Sequence, residues 1–145
     1  TFDGDFSYPP SVVPMLVRVV VKDGVDFVTT DRFGLMEDDA MDFLHRFGNL
    51  VLSFLVRFLF GVGLRDSQSG MWVIKRSVLE GIMPWSDGMA FSEEIKIKAF
   101  RLCKAMEFPI LYKKRVGNSK VRTVMDGLKN LIYLFQLRFR SSESH

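Results

Sequence analysis

Short β-branched and apolar runs alternate along this chain with longer stretches of helical periodicity. The run Val25–Thr30 is typical of a buried strand, and it follows a predicted helix over Ser11–Lys22, where apolar residues recur at helical spacing. Two more strands are predicted at Met71–Ile74 and Phe108–Tyr112. The other predicted helices are Ala40–Phe60, Ser77–Ile82, a helix capped by Ser92, and Val121–Arg140. Alternating strands and helices predict an α/β layer structure.

The length and composition of the chain are those of one folded domain. Its 145 residues suffice for a hydrophobic core, and 48% hydrophobic with 26% charged residues exclude a disordered chain. The lone Cys103 excludes an internal disulfide and a cysteine metal cluster. The apolar run Leu50–Leu64 is too short to span a bilayer as a helix. Because the chain begins with Thr1, we expect a fragment of a longer protein.

Positive charge is concentrated towards the end of the chain. The net charge is only +3, but Lys113 to Arg140 contains eight lysines or arginines and one acid, Asp126. Such a segment predicts anionic partners, which are phosphates, lipid head groups or nucleic acid. No RNA-binding aromatic motif or helix-turn-helix pattern is present, so we expect no nucleic acid partner.

Asp3 and Asp5 flank Gly4 at the end of a short stretch predicted to close a strand. Their carboxylates are hard oxygen ligands, and Mg²⁺ is commonly held by one or two carboxylates together with substrate phosphates. The same pattern is common in turns. The aspartates, Arg32 and Arg115 all follow predicted strands, and an open α/β sheet usually binds its ligand beyond the carboxyl ends of its strands. These side chains are therefore expected around one anion.

Several motifs occur in an order known from one family. They are Asp3-Gly4-Asp5 before Tyr8-Pro9-Pro10, Arg46 to Asn49, Asp66-Ser67-Gln68-Ser69-Gly70, the Glu-bearing segment 91–99, and Pro109 to Lys120. The chain resembles family 2 glycosyltransferases with a GT-A fold, of the dolichyl-phosphate mannosyltransferase or polyprenyl-phosphate hexosyltransferase type. The resemblance covers nearly the whole chain, and its last segment is the most specific.

The resemblance implies a fold class and a division of the chain. The fold is expected to be α/β, the C-terminal part of a GT-A (nucleotide-diphospho-sugar transferase) fold, with a mixed sheet flanked by helices. Residues 1–120 would be a partial catalytic domain without its N-terminal nucleotide-binding part, and residues 121–145 an amphipathic interfacial helix and tail. We expect the isolated chain to bind nucleotide poorly or to be inactive.

The resemblance also implies an activity. A hexose, mannose or glucose, would pass with inversion from a nucleotide-diphosphate sugar (GDP-mannose or UDP-glucose) to a polyprenyl (dolichyl) phosphate. The enzyme would be peripheral, at the cytoplasmic face of a membrane. Mg²⁺ or Mn²⁺ would stabilise the charge that builds on the leaving diphosphate. The alternatives are a polysaccharide or glycolipid acceptor, or a non-catalytic anion-binding or membrane-binding fragment.

The family's motifs assign roles to residues of this chain. The catalytic pair would be Asp5 and Arg115, with Asp3 and Asp5 as metal ligands. Phosphates would be bound by Asp3, Arg32, Arg46, Ser119 and Lys120. The acceptor site would be shaped by Asp66, Ser69, Gly70 and Glu94. For Arg46 and Glu94, ordinary helix positions are the alternative.

Two segments could contact a bilayer. Leu50–Leu64 is one, and core packing explains it equally well. The other is Val124–Phe139, which has an apolar face and nearby basic residues. A basic amphipathic helix can lie in the membrane interface, and packing on the sheet is the alternative for this helix.

Overall fold

The computed structural model describes residues 1–84, 86–116 and 123–142. A 3-10 turn at Pro10–Val12 leads into α1 (Val13–Lys22). The remaining elements follow in chain order: β1 (Phe27–Met36), α2 (Phe43–Phe60), β2 (Trp72–Ile74), α3 (Arg76–Ile82), α4 (Met89–Leu102), β3 (Ala105–Tyr112) and α5 (Thr123–Ser142).

The three strands form one mixed sheet in the order β2-β1-β3. The central strand β1 pairs antiparallel with β2, where Phe27 lies opposite Ile74. On its other side β1 pairs parallel with β3, and the register is irregular between Asp31 and Leu35. Helices flank this sheet, so the predicted α/β class with a mixed sheet is confirmed.

Strand β1 is longer than the sequence predicts. The predicted strand ends at Thr30, but β1 continues to Met36. Asp31 and Arg32 are polar and yet buried, because their partners come from the loop that precedes β2. The predicted end of this strand at Thr30 is therefore wrong.

Two helix ends follow the sequence signals and one does not. The side chain of Asp42 caps α2 by accepting a hydrogen bond from the His45 N–H, and α2 ends at Gly61, whose left-handed φ of 66° suits glycine. Helix α4 begins at Met89, so Ser92 lies inside the helix and does not cap it. Residues 1–5 are irregular, although Thr1 exchanges two backbone hydrogen bonds with Trp72.

Helices α2, α4 and α5 share one hydrophobic cluster. Its buried members include Leu52, Val56, Ile97, Leu134 and Leu137. One face of α5 therefore belongs to the same core as α2, and core packing accounts for that face. The predicted division of the chain at residue 120 stays a prediction.

The opposite faces of α2 and α5 are exposed and apolar. On α2 the exposed side chains recur at Phe43, Phe47, Leu50, Phe54 and Phe58. On α5 they are Met125, Leu128, Ile132, Phe135 and Phe139. Helix α2 has 18 residues with a mean hydropathy of 1.4, so its length and composition would allow it to cross a membrane. The expectation of a segment too short to cross is wrong for this helix, since it begins well before Leu50.

Candidate active site

The segment that follows β3 lies against the N-terminal segment. The Lys113 N–H donates to the Ser7 carbonyl, and the Val116 N–H donates to the Asp5 carbonyl, each at 3.0 Å. The N-terminal segment turns sharply here, because Phe6 has a φ of 64° and the Asp5 carboxylate accepts hydrogen bonds from Ser7. These contacts bring together the first and the last of the predicted motifs.

Asp5 and Arg115 form an ion pair at this junction. The Arg115 Nε lies 2.6 Å from Asp5 Oδ2, and the two side chains are 32% and 20% exposed. Burial raises the pKa of Asp5, but the Ser7 hydrogen bonds and the Arg115 charge outweigh it and hold this pKa below its ordinary value. Asp5 is therefore a carboxylate near neutral pH, partly exposed to solvent beside a guanidinium.

Asp3 lies beside the loop that carries Asp66 to Gly70. A Cβ placed on Gly70 would lie 2.5 Å from Asp3 Oδ2, so only glycine leaves room for the carboxylate at its observed position. Asp3 and Gly70 also line a cavity of about 250 Å³. Its other walls are Thr1, Ser67, Gln68, Trp72, Gly88, Phe91, Ser92 and Glu93.

Arg32 is bound to Asp66 in the interior. Its Nε and one terminal nitrogen lie 2.7 and 2.8 Å from the two carboxylate oxygens of Asp66, and its backbone N–H donates to the same carboxylate at 3.1 Å. Burial raises the pKa of Asp66, and the adjacent Arg32 charge outweighs this and lowers it. Both side chains are almost fully buried. The geometry therefore favours a structural role for Arg32 over the predicted contact with phosphate.

Ser69 and Gly70 are fixed by the core. Ser69 Oγ lies 2.6 Å from the Thr30 hydroxyl, and the Gly70 N–H donates to the Tyr8 hydroxyl at 2.6 Å. Burial raises the pKa of Tyr8 to about 12, so this hydroxyl stays protonated. The motif thus forms a wall beside Asp3, and its role in shaping the acceptor site stays a prediction.

Glu94 joins three parts of the chain. Its carboxylate accepts hydrogen bonds from Ser86 and from the Tyr133 hydroxyl of α5, and it forms an ion pair with Lys98 at 2.8 Å. It is fully buried. These contacts fix α5 and the loop before α4 to α4, and they are the contacts of a scaffold residue.

In the described part of the chain, the remaining predicted phosphate ligands do not contact the Asp5–Arg115 pair. Arg46 is exposed near the start of α2. Ser119 and Lys120 lie outside the described residues. Within the described part of the chain, Arg115 is therefore the basic residue of the predicted set that contacts Asp5.

The sequence reasoning missed Glu93. This carboxylate is buried; its Oε1 accepts hydrogen bonds from Ser67 and from Gln68, at 3.2 and 2.6 Å. Its Oε2 has no hydrogen-bond partner among the described residues. Burial raises the pKa of Glu93 to about 7. With Ser92 as the predicted cap, Glu93 would stand in the first turn of the helix, but α4 begins earlier, at Met89, and Glu93 is buried.

Asp3 and Asp5 could hold a divalent ion only together with other ligands. Among residues 1–84, 86–116 and 123–142, no group of three His, Cys, Asp or Glu side chains could hold a metal. One or two carboxylates with substrate phosphates are enough for Mg²⁺. Arg115 already supplies a positive charge at Asp5, so an ion there would compete with it unless phosphate oxygens approached as well. The donor set fits an ion that arrives with a phosphate ligand.

Comparison with known proteins gives several relatives. No family model matches this chain. A dolichyl-phosphate hexose transferase of Haloferax volcanii is 33% identical over 128 residues, which are 88% of this chain and 55% of the relative. A low-salt glycan biosynthesis hexosyltransferase of the same organism is 28% identical over 91% of this chain and 33% of its own length. A UDP-N-acetylglucosamine–dolichyl-phosphate N-acetylglucosaminyltransferase of Methanococcus voltae is 27% identical, over 86% and 47%.

The mixed α/β fold and these relatives identify the class of protein: the chain is similar to part of a glycosyltransferase. More narrowly, two of these relatives are named for dolichyl phosphate, and the predicted resemblance to dolichyl-phosphate hexosyltransferases is confirmed. The chain spans about half the length of the curated relatives it matches, or less.

Proposed function

We propose that this chain is part of an inverting hexosyltransferase, of family 2 by its motifs, that acts on a polyprenyl phosphate at the cytoplasmic surface of a membrane. The donor would be a nucleotide-diphosphate sugar, GDP-mannose or UDP-glucose, and the acceptor dolichyl phosphate or a related lipid. The relatives named for dolichyl phosphate support this acceptor class.

The observation that carries the proposal is the contact between Asp5 and Arg115. These residues are 110 positions apart in the sequence, yet their charged groups are 2.6 Å apart. A partly exposed carboxylate beside a guanidinium suits a ligand that carries both phosphates and a cation. The guanidinium can donate two parallel hydrogen bonds to phosphate oxygens.

The proposed reaction is a single displacement. An oxygen of the acceptor phosphate forms a bond to the anomeric carbon as the bond from that carbon to the donor diphosphate breaks, which inverts the configuration. The acceptor phosphate is already ionised near neutral pH, so no strong general base is needed. Negative charge builds on the leaving diphosphate, and Arg115 is placed to stabilise it.

Arg115 has to leave Asp5 in order to do this. Asp5, with Asp3, would then hold Mg²⁺ or Mn²⁺, which neutralises the diphosphate when bound. In the structure the Arg115 guanidinium supplies the positive charge beside Asp5. We therefore expect Arg115 to exchange the carboxylate for a phosphate oxygen when the donor binds.

The exposed apolar faces of α2 and α5 would contact the membrane. Phe54 and Phe58 on α2 and Phe135 and Phe139 on α5 are exposed large apolar residues, and a lipid acceptor has to be reached at a bilayer. Amphipathic helices with basic residues bind at the interface of anionic membranes. These helices pack together on the protein, which favours a peripheral attachment.

The test uses the full-length protein that contains this chain. Transfer of labelled hexose from GDP-mannose or UDP-glucose to a polyprenyl phosphate is measured with and without Mg²⁺ or Mn²⁺, in the parent and in Asp5→Asn. We expect at least a hundredfold loss of transfer in D5N, because a metal-binding charge is removed where the leaving group is stabilised.

A matched control is Asp23→Asn, which changes an exposed carboxylate at the end of α1. D23N should transfer hexose as the parent does. Retention of metal-dependent transfer by D5N would contradict the role of Asp5. Transfer to a polysaccharide or glycolipid but not to a polyprenyl phosphate would contradict the acceptor. Absence of transfer by the parent to every acceptor, with anion or membrane binding retained, would favour a non-catalytic role.

A further inference from the structure

We infer that the cavity beside Asp3 binds the sugar ring of the donor and that Glu93 accepts a hydrogen bond from one of its hydroxyl groups. This inference rests on the proposed function and adds a specificity-determining residue. It starts from a buried carboxylate oxygen that has no partner among the described residues, in the wall of a cavity that the candidate metal ligand Asp3 also lines.

The size of the cavity fits one sugar ring. Its volume is about 250 Å³, whereas pockets for drug-sized ligands measure roughly 300–1,000 Å³. A whole nucleotide sugar is too large for it. A single hexose ring, with its diphosphate outside at Asp3 and Arg115, matches both the volume and the position of Asp3 on the cavity wall.

The walls match the two kinds of surface that a hexose presents. Trp72 and Phe91 supply apolar surface for the C–H groups of the ring. Asp3, Ser92 and Glu93 supply polar groups for its hydroxyls. Asp3 and Glu93 place two acidic side chains in this small space, which disfavours a sugar acid and favours a neutral hexose as the ligand class.

The two carboxylate oxygens of Glu93 differ in their hydrogen bonds. Ser67 and Gln68 both donate to Oε1 and thereby fix the orientation of the carboxylate. In the described part of the chain no donor reaches Oε2, which is buried, and buried polar atoms in folded proteins almost always have a partner. A hydroxyl donor from a ligand would satisfy it. Lys96, one turn further along α4, is directed elsewhere and donates to the Ser67 carbonyl at 2.6 Å.

The test separates binding of the sugar from binding of the nucleotide. The full-length protein and its Glu93→Gln and Glu93→Ala variants are titrated calorimetrically with GDP-mannose and UDP-glucose, and with GDP and UDP. The titrations are done at about pH 8, above the pKa of Glu93, where a hydrogen bond to this charged group corresponds to roughly a 10- to 100-fold change in affinity. We expect E93A to bind the nucleotide sugar about 10- to 100-fold more weakly and the bare diphosphate as the parent does. E93Q, which keeps an acceptor oxygen, should lose less.

The control variant is Glu80→Gln, on the exposed side of α3; it should match the parent with every ligand. Equal sugar affinity in the parent and both Glu93 variants overturns the pocket assignment alone. An equal loss for the sugar and the bare diphosphate also overturns it, since Glu93 then acts on the fold. Tighter binding of UDP-glucuronate than of UDP-glucose overturns the neutral-hexose class. A parent protein that binds no nucleotide sugar overturns the proposed function and this inference with it.

Discussion

At the scale of single residues, the chain holds several ionisable groups in its interior. Glu93 and Lys96 are both buried on α4, where burial raises the pKa of the carboxyl to about 7 and lowers the pKa of the amine to about 8. Their mutual attraction opposes both shifts without cancelling them. A buried acid of this kind makes stability depend on pH.

The stability of the Glu93→Gln variant relative to the parent should increase as pH rises. The native carboxyl keeps its proton up to about pH 7, whereas its ordinary pKa is 4.5, so the native state binds more protons between these values. Stability contributed by this proton is present below pH 4.5 and is lost as pH rises towards 7. The amide has no such proton to lose. The advantage of E93Q should grow by up to roughly 3 kcal/mol across this window.

The measurement is urea unfolding of the parent, E93Q and the exposed control E80Q at about pH 5 and about pH 7.5. Lys96 attracts the Glu93 carboxylate and Asp3 lines the same cavity, and both residues are present in all three proteins. A stability difference between E93Q and the parent that is the same at both pH values would contradict the raised pKa of Glu93.

At the scale of elements, the sequence predicts most strands and helices but not the buried polar part of β1. The apolar run up to Thr30 is a clear strand signal, and the glycine that ends α2 is a clear stop signal. The predicted strand stops before Asp31 and Arg32, because polar residues are usually exposed. Their burial depends on Asp66, more than thirty residues away, and no local pattern shows that partner.

The sequence likewise predicts only part of the candidate site. The sequence predicts that Asp5 and Arg115 meet, because both follow predicted strands of one sheet, and they form an ion pair in the structure. It predicts Arg32 equally strongly by the same rule, although Arg32 is bound to Asp66. Position after a strand shows which edge a residue is near. Whether its side chain points to solvent or to the core depends on distant packing.

The structural role of the Arg32–Asp66 pair leads to a prediction for β1. Asp66→Ala removes the partner of a buried guanidinium and leaves that charge uncompensated, which typically costs about 3–5 kcal/mol. It also removes the acceptor of the Arg32 backbone N–H. We expect a loss of that size in the free energy of unfolding in urea.

The double variant Arg32→Met, Asp66→Leu provides the matched comparison. Replacing both members of a buried ion pair by apolar groups is often neutral or stabilising, so the double variant should recover most of the stability that D66A loses. A loss below about 1 kcal/mol in D66A, or no recovery in the double variant, would contradict the structural role of this pair.

At the scale of the whole molecule, one side of α2 and α5 builds the core while the other side leaves large apolar groups in solvent. Leu52, Val56, Leu134 and Leu137 are buried in one cluster. On the outer side of α2, two phenylalanine pairs, Phe43 with Phe47 and Phe54 with Phe58, stack in exposed positions. Apolar surface arranged in this way marks an interaction site rather than a random feature of a soluble surface.

If this outer face binds membranes, then Phe54→Ser with Phe58→Ser should weaken attachment of the protein to vesicles. The side chains are 57% and 73% exposed, so their removal should leave the free energy of unfolding nearly unchanged. Each phenylalanine would bury apolar area on insertion into the bilayer, and full burial of such a side chain is worth about 1.5–3 kcal/mol. We therefore expect the double variant to partition into vesicles at least roughly tenfold more weakly than the parent. The measurement is co-sedimentation with phosphatidylcholine vesicles, with and without phosphatidylglycerol. Val21→Ser, at an equally exposed site on α1, is the control and should partition as the parent does. Unchanged co-sedimentation of the double phenylalanine variant would place the membrane contact elsewhere on the protein, and α5 would then be the next helix to alter.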